Sequence, residues 1–199
     1  MSGKLYVRDS VSSETILAIS RGKRLSRVVL IHPITEKVET WIFYDQQNWS
    51  VTMAVTEDGM VVTTWQYYQG VDETLQVLTG GNDDVDGGES PEEVARRELR
   101  EEGGYDAQEV IALGILPLSV RNSQTRCSLF LALGCKQWQD GSFDKNEVIR
   151  VELVPLEEWI RRVFNTIKEG PSREATFLAL PHLVRRFPSL DINKILGEI

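Results

Sequence analysis

The segment from Glu89 to Tyr105 limits what this chain can fold into more than any other: Glu-Ser-Pro-Glu-Glu-Val-Ala-Arg-Arg-Glu-Leu-Arg-Glu-Glu-Gly-Gly-Tyr. Ser90 and Glu93 have capping-box spacing, Pro91 falls in a first helical turn, and Gly103-Gly104 supplies a stop. The spacing predicts a helix. On a projection of about 100° per residue, Val94, Ala95 and Leu99 mark the inward face. Glu98, Glu101 and Glu102 fall in that same sector, and Arg96, Arg97 and Arg100 point roughly the other way. Like charges three and four residues apart repel by about 0.2–0.5 kcal/mol even when exposed, and by more when half-buried. A divalent cation removes that repulsion, and a carboxylate-rich oxygen set suits Mg²⁺ or Mn²⁺. The plainer alternative is a solvated helix stitched by Glu93–Arg97 and Arg97–Glu101 pairs.

The 199 residues carry 22 Lys and Arg against 30 Asp and Glu, a net charge of −8. Residues 82–109 alone hold eleven acidic side chains and three arginines, while the rest of the chain has nineteen of each sign. The acidity is therefore one concentrated segment, which focuses a field that collects divalent cations. A nucleic-acid binder or a protein docking on an anionic membrane needs clustered Lys and Arg, so neither partner is expected. No apolar run approaches the ~20 residues of a membrane span, and Met1–Ser10 does not read as a signal peptide. Cys127 and Cys135, if they share one strand, lie about 26 Å apart at ~3.3 Å per residue. That is too far for a disulfide, and reduced thiols suit a cytoplasmic location.

The 41% of hydrophobic residues is ordinary for a soluble globular chain. Strands are expected at 27–31, 38–44, 51–56, 60–65 and 75–78, with Asp58-Gly59 turning a hairpin. After the helix, strands resume at 110–118, 127–133 and 148–154. A second helix opens at Pro155, with Trp159, Ile160, Val163, Phe164 and Ile167 on one face. Ser172 is expected to cap a third, which Pro181 bends or stops. A mixed α/β sheet flanked by helices fits this order.

The spacing Glu89-x7-Arg97-Glu98-Leu99-x-Glu101-Glu102-x-Gly104-Tyr105 resembles the Nudix box, Gly-x5-Glu-x7-Arg-Glu-U-x-Glu-Glu-x-Gly-U, where U is bulky and apolar. The first Gly departs from it. Asp83 holds the strict position and Gly81 stands two residues early, as though the loop had an insertion. The resemblance implies a Nudix-type α/β/α sandwich, α/β in class, with residues 49–199 as catalytic domain. Residues 1–48 would add an N-terminal antiparallel β extension that forms a dimer interface or a substrate wall. It also implies hydrolysis of a nucleoside diphosphate linked to another group. Glu98, Glu101 and Glu102 would ligate Mg²⁺ or Mn²⁺, Glu89 would pair with Arg97, and Gly104 would close the box.

Weaker similarity over most of the chain points to the ADP-ribose and nucleoside-diphosphate-sugar pyrophosphatases, and so to a small-molecule nucleotide substrate and a homodimer. Those enzymes commonly carry Gln-Tyr-Arg where this chain has Gln66-Tyr67-Tyr68. Glu147, on the acidic turn before the last strand, is a candidate further ligand or general base beside Glu101 and Glu102. Thr79 could lend a carbonyl to metal; Tyr68, Arg121 and Arg126 could touch substrate. Each also reads as an ordinary loop, strand or surface residue. His32 and His182 have no partners at ligand spacing and read as structural. Within the family, the alternatives are another nucleotide class (a dinucleoside polyphosphate, a coenzyme or a triphosphate) or a non-catalytic nucleotide sensor. Outside it, Asn82-x-Asp84-x-Asp86-Gly87-x5-Glu93 nearly matches a calcium loop but lacks an entering helix.

Overall fold

A computed structural model describes residues 12–18, 23–32, 34–68, 70, 72–81, 88–138 and 149–198. The chain divides into two compact units, 1–48 with 117–126, and 49–116 with 127–199.

The smaller unit is an antiparallel sheet of β1 (Ser12–Ala18), β2 (Arg24–Ile31) and β3 (Val38–Asp45), in that order. The chain between β2 and β3 is tied by His32, whose Nδ1 accepts from the amides of Ile34 and Thr35. Asp45, nearly buried, organises the rest. Its Oδ1 accepts from the Gln124 amide at 2.6 Å and from the Ser123 hydroxyl at 3.2 Å. Thr125 Oγ1 accepts from the Gln46 amide and donates to the Gln46 carbonyl. A carboxylate and a threonine thus do for the 117–126 segment what a strand ladder would otherwise do.

The larger unit is a mixed sheet. Its strands are β4 (Trp49–Thr56), β5 (Met60–Tyr68), β6 (Asp72–Gly81), β7 (Tyr105–Asp106), β8 (Glu109–Pro117), β9 (Arg126–Gln137) and β10 (Ile149–Pro155). The order is β10-β5-β6-β4-β9-β7, with β8 on β9. β4 runs parallel to β9 and antiparallel to β5 and β6. The Asp58-Gly59 turn forms with Gly59 at φ +79°. The β4–β5 hairpin pairs only at Ala54–Val62 and Val55–Val61; beyond that the two strands part and β6 pairs with both.

The helices are α1 (Pro91–Glu101), α2 (Leu156–Asn165), α3 (Gly170–Arg186) and α4 (Ile192–Gly197). Strand alternation assigns each sheet face its helices. Val51, Met53 and Val55 of β4 and Leu129, Leu131 and Leu133 of β9 join Trp159, Ile160, Ala175, Ala179 and Leu183 in one core. The intervening Ala54 and Ala132 join Val62, Leu78 and Leu99 of α1 in a second, smaller one. Ala54 and Ala132, set among the larger Val62 and Leu78, leave room for α1 to lie close to the sheet. Ser50 Oγ reaches the Pro91 carbonyl at 2.9 Å.

Three local expectations differ from the structure. Glu169, not Ser172, caps α3; its carboxylate accepts from the Ser172 amide, and Ser172 Oγ accepts from the Val77 amide of β6. α3 continues through Pro181, because Ala175 and Ala179 before it and Leu183 after it are all buried. That packing offsets the roughly 3 kcal/mol an interior proline costs. Phe164 of α2 stays 36% exposed, tilted against Phe177 at 5.2 Å, while Trp159, Ile160, Val163 and Ile167 are buried. β1, β7 and α4 are additional elements.

Trp159 is fully buried and its Nε1 donates to Thr176 Oγ1 at 2.9 Å. Trp159→Ala is expected to lower the unfolding free energy in urea by about 3–5 kcal/mol, since it opens a large cavity; the Thr176 hydroxyl keeps its bond to the Ser172 carbonyl.

Candidate active site

α1 begins as its sequence dictates. The Ser90 amide donates to Glu93 Oε2 at 2.7 Å and the Glu93 amide to Ser90 Oγ at 3.3 Å, completing the capping box. The Ser90 amide holds the Glu93 carboxyl below its usual range. At the other end Gly104 turns at φ +71° and its carbonyl accepts from the Trp138 amide.

Between these ends the three carboxylates part company. Glu98 and Glu102, one turn apart, are 8% and 9% exposed. The Glu101 side chain is 48% exposed. Arg97 does not point away from them. Its Nη1 donates to Glu98 Oε1 at 2.8 Å and to Glu101 Oε2 at 3.1 Å. Its Nε reaches Glu89 Oε1 at 3.3 Å, and its Nη2 reaches the Gly81 carbonyl at 3.2 Å. Burial works against the Arg97 charge, but Glu98, Glu89 and Glu101 outweigh it and keep the guanidinium more firmly protonated than usual. One planar cation thus fastens α1 to the end of β6 and to Glu89.

The end of β6 lies directly against Glu98. A Cβ at Gly80 would overlap Glu98 Cγ, Cδ and Oε1, so this close approach requires glycine. Thr79, one residue earlier, accepts at its Oγ1 from Gln76 Nε2 at 3.1 Å. Gln76 is wholly buried and also donates to Tyr68 Oη and Gln66 Oε1, both at 2.9 Å. Burial pushes the Tyr68 phenol up; bonds to Gln76 and Thr79 oppose the rise, and the charges of Glu102 and Glu169 add to it. Burial likewise raises the Glu169 carboxyl against its Ser172 bonds.

The structure therefore brings together Glu89, Arg97, Glu98, Glu101 and the 79–81 backbone around α1, with Tyr68 within the electrostatic reach of Glu102. Arg121 and Arg126 are exposed residues of the smaller unit. Glu147 and the calcium-loop positions 82–87 lie outside the described residues. Gly80, Gln76 and Glu169 escaped the sequence reading. Gln76 had a visible signal, a lone amide in the apolar run Leu75–Leu78.

The donor set consists of hard carboxylate oxygens, which fit Mg²⁺ or Mn²⁺ in kind. Among the described residues no three metal-ligating side chains are drawn together, and Arg97 occupies oxygens of two of the carboxylates.

Residues 46–178 match the NUDIX domain family. The chain belongs to the Nudix family. A Bacillus subtilis (strain 168) protein, "ADP-ribose pyrophosphatase", is 26% identical over 166 residues, which cover 81% of this chain and 77% of that protein. The fold also matches a crystal structure described as that of an "ADP compounds hydrolase", with a TM-score of 0.73 and 22% identity. That match covers 89% of this chain and 95% of the other. The Nudix fold is an α/β sandwich, and this one has its box on α1 and its smaller core under that helix.

If the Gly80 contact is what sets Glu98, Gly80→Ala is expected to destabilise the protein by about 1–3 kcal/mol through overpacking. Most of that cost should disappear in a Glu98→Ala background, where the overlapped atoms are gone. Urea unfolding of the four proteins in the cycle measures it, and an equal cost in both backgrounds would contradict the contact's role.

Proposed function

We propose that this Nudix chain is a divalent-metal-dependent hydrolase of ADP-ribose or a related nucleoside diphosphate sugar, releasing a nucleoside monophosphate and a sugar phosphate. Its standing as a pyrophosphohydrolase follows from the family and the Bacillus relative. The substrate and the metal are the proposal. The observation that carries it is the carboxylate set on α1, with Glu98 and Glu102 buried and Arg97 bonding Glu98, Glu101 and the Gly81 carbonyl of β6.

Glu98, Glu101 and Glu102, with the Thr79 carbonyl, would hold Mg²⁺ or Mn²⁺. When bound there, the ion would neutralise charge at the diphosphate and make the attacking water more acidic. The residues do the remaining work. Arg97 and Glu89 keep α1 in register with residues 79–81. A carboxylate of Glu101, Glu102 or Glu147 takes the proton of the water that attacks phosphorus. The P–O bond of the bridge breaks, one phosphate keeps the water oxygen, and the other leaves with the bridging oxygen.

A cytoplasmic setting suits Cys127 and Cys135, which are free and buried and whose thiols burial pushes up to about 12. A homodimer suits the smaller unit. Val38, Ile42 and Tyr44 share one face of β3, Ile31 stands opposite Val38, and all four are between 37% and 67% exposed. A second copy of the chain would cover that apolar face.

Glu102→Gln is expected to lower kcat by about 10²-fold or more without unfolding the protein. The assay counts phosphate freed from the product esters by added phosphatase, across a nucleotide panel with Mg²⁺ or Mn²⁺. No turnover of any nucleotide would end the hydrolase reading, and undiminished turnover by the variant would end the site assignment. For the dimer, Ile42→Glu should shift the mass measured by light scattering from two chains to one. A one-chain mass for the unaltered protein would remove the dimer.

A further inference from the structure

β5 and β6 carry an unusual strip on the face that receives α1. Val62, Thr64, Gln66 and Tyr68 alternate along that face of β5. Val62 packs in the core with Leu99 of α1, so the three polar residues continue the same face beyond the helix contact. Opposite Thr64 in the ladder stands Gln76, and opposite Gln66 stands Thr74. Thr64, Gln76 and Thr74 are all buried. Burying these three polar side chains costs free energy unless they bond one another, the half-buried Gln66 and the more exposed Tyr68 beside them, or a ligand.

Their bonding is uneven. The two N–H groups of Gln76 face three oxygens: Gln66 Oε1, Tyr68 Oη and Thr79 Oγ1. The Tyr68 hydroxyl donates to Gln66 Oε1 at 2.7 Å, so its single proton is committed. Gln76 Oε1 and Thr64 Oγ1 have no hydrogen-bond partner among the described residues. Toward anything that approaches it, the Tyr68 oxygen can therefore only accept. At its open end stand the hydroxyls of Tyr68 and Thr79, and no cation stands among the residues of the strip. Glu102 and Glu169 place negative charge within reach of Tyr68. At Tyr68 a phosphate oxygen, which only accepts, meets no hydrogen and the wrong field; a hydroxyl, which also donates, finds both right.

We propose that Gln76 is a positioning residue that sets Tyr68 as a specificity-determining wall of the site. That wall accepts a hydroxyl-bearing sugar beyond the diphosphate and rejects a further phosphate at the same place. This rests on the hydrolase reading above. Gln76 acts only through Tyr68 and Thr79, whose hydroxyls it holds beside the α1 carboxylates.

The test compares ADP-ribose with ADP-ribose carrying a phosphate on its terminal ribose, using the full chain with Mg²⁺. The unaltered protein should favour the unphosphorylated substrate in kcat/KM by about tenfold or more. Tyr68→Phe should raise KM for ADP-ribose about three- to tenfold, the worth of one neutral hydrogen bond, while kcat and the constants for the phosphorylated substrate stay near their starting values. Gln76→Leu should give the same KM-only change, and the double variant no more than either single one. A merely structural role for Gln76 would instead depress both substrates alike, chiefly in kcat. Should Gln76→Leu fail to fold, Tyr68→Phe still decides. Equal use of both substrates by the unaltered protein, or an unchanged ratio in Tyr68→Phe, overturns this inference and leaves the hydrolase reading standing. Turnover of neither substrate overturns both.

Discussion

The Arg97 guanidinium is the interaction on which the rest of the site depends. α1 turns Glu98 and Glu102 into burial one turn apart, and burying two like charges side by side costs free energy. Arg97 offsets this from within the same helix. It binds its sequence neighbour Glu98, its i+4 neighbour Glu101, the preceding Glu89 and the Gly81 carbonyl of β6. A lysine could not do this, because an ammonium lacks the planar fork that serves several acceptors in one plane. The ion pairs are only partly buried, so their worth lies less in net stability than in fixing where the carboxylates stand.

That fixing works only because the sheet lets α1 come close. Ser50, Ala54, Gly80 and Ala132 are the small residues that leave room for it beside Val62 and Leu78. The opposite face spends its volume on Leu, Met and Trp and supplies the larger core. The strands therefore divide their work by alternation, with the larger core on one side and a smaller one, opened by alanine, serine and glycine, on the other. The bulge between Leu133 and Cys135, where Gly134 sits at φ +64°, is what brings Cys135 onto the α1 face at the end of β9.

The parts of this arrangement that were legible in the sequence are the local ones. The capping box, the Pro91 start, the Gly stop and the Asp58-Gly59 turn each depend on a few adjacent residues. The projection of α1 placed Glu98 and Glu102 inward correctly, because backbone direction governs a short side chain near a buried face. It misplaced Arg97, since a long side chain can curl back along the helix whatever direction its Cα–Cβ bond takes. It also put Glu101 inward, whereas its side chain stands half-exposed at the rim of the sector, bonded to Arg97. Pro181 misled for a related reason: the rule that stops a helix at proline is local, and the burial of Ala179 and Leu183 that overrides it is not. Gln76 needed the register of β5 against β6 before its amide could be matched to Tyr68, and register is a tertiary fact.

The charge distribution gains a direction from this geometry. Residues 82–109 hold the whole net negative charge of the chain, and α1 carries the inward part of it. A diphosphate substrate of the kind proposed is itself anionic, so the carboxylates would receive it only through a divalent cation of their own, which would offset their charge. The Gln66–Tyr68–Gln76–Thr79 end gains no such neutralisation, because its groups are amides and hydroxyls already bonded to one another. One helix and one pair of strands therefore present two chemically unlike walls to a single extended ligand. The first is able to hold a charged group and the second a neutral hydroxylated one. A substrate with its charge in the middle and a sugar at one end matches that gradient; one with charge along its whole length does not.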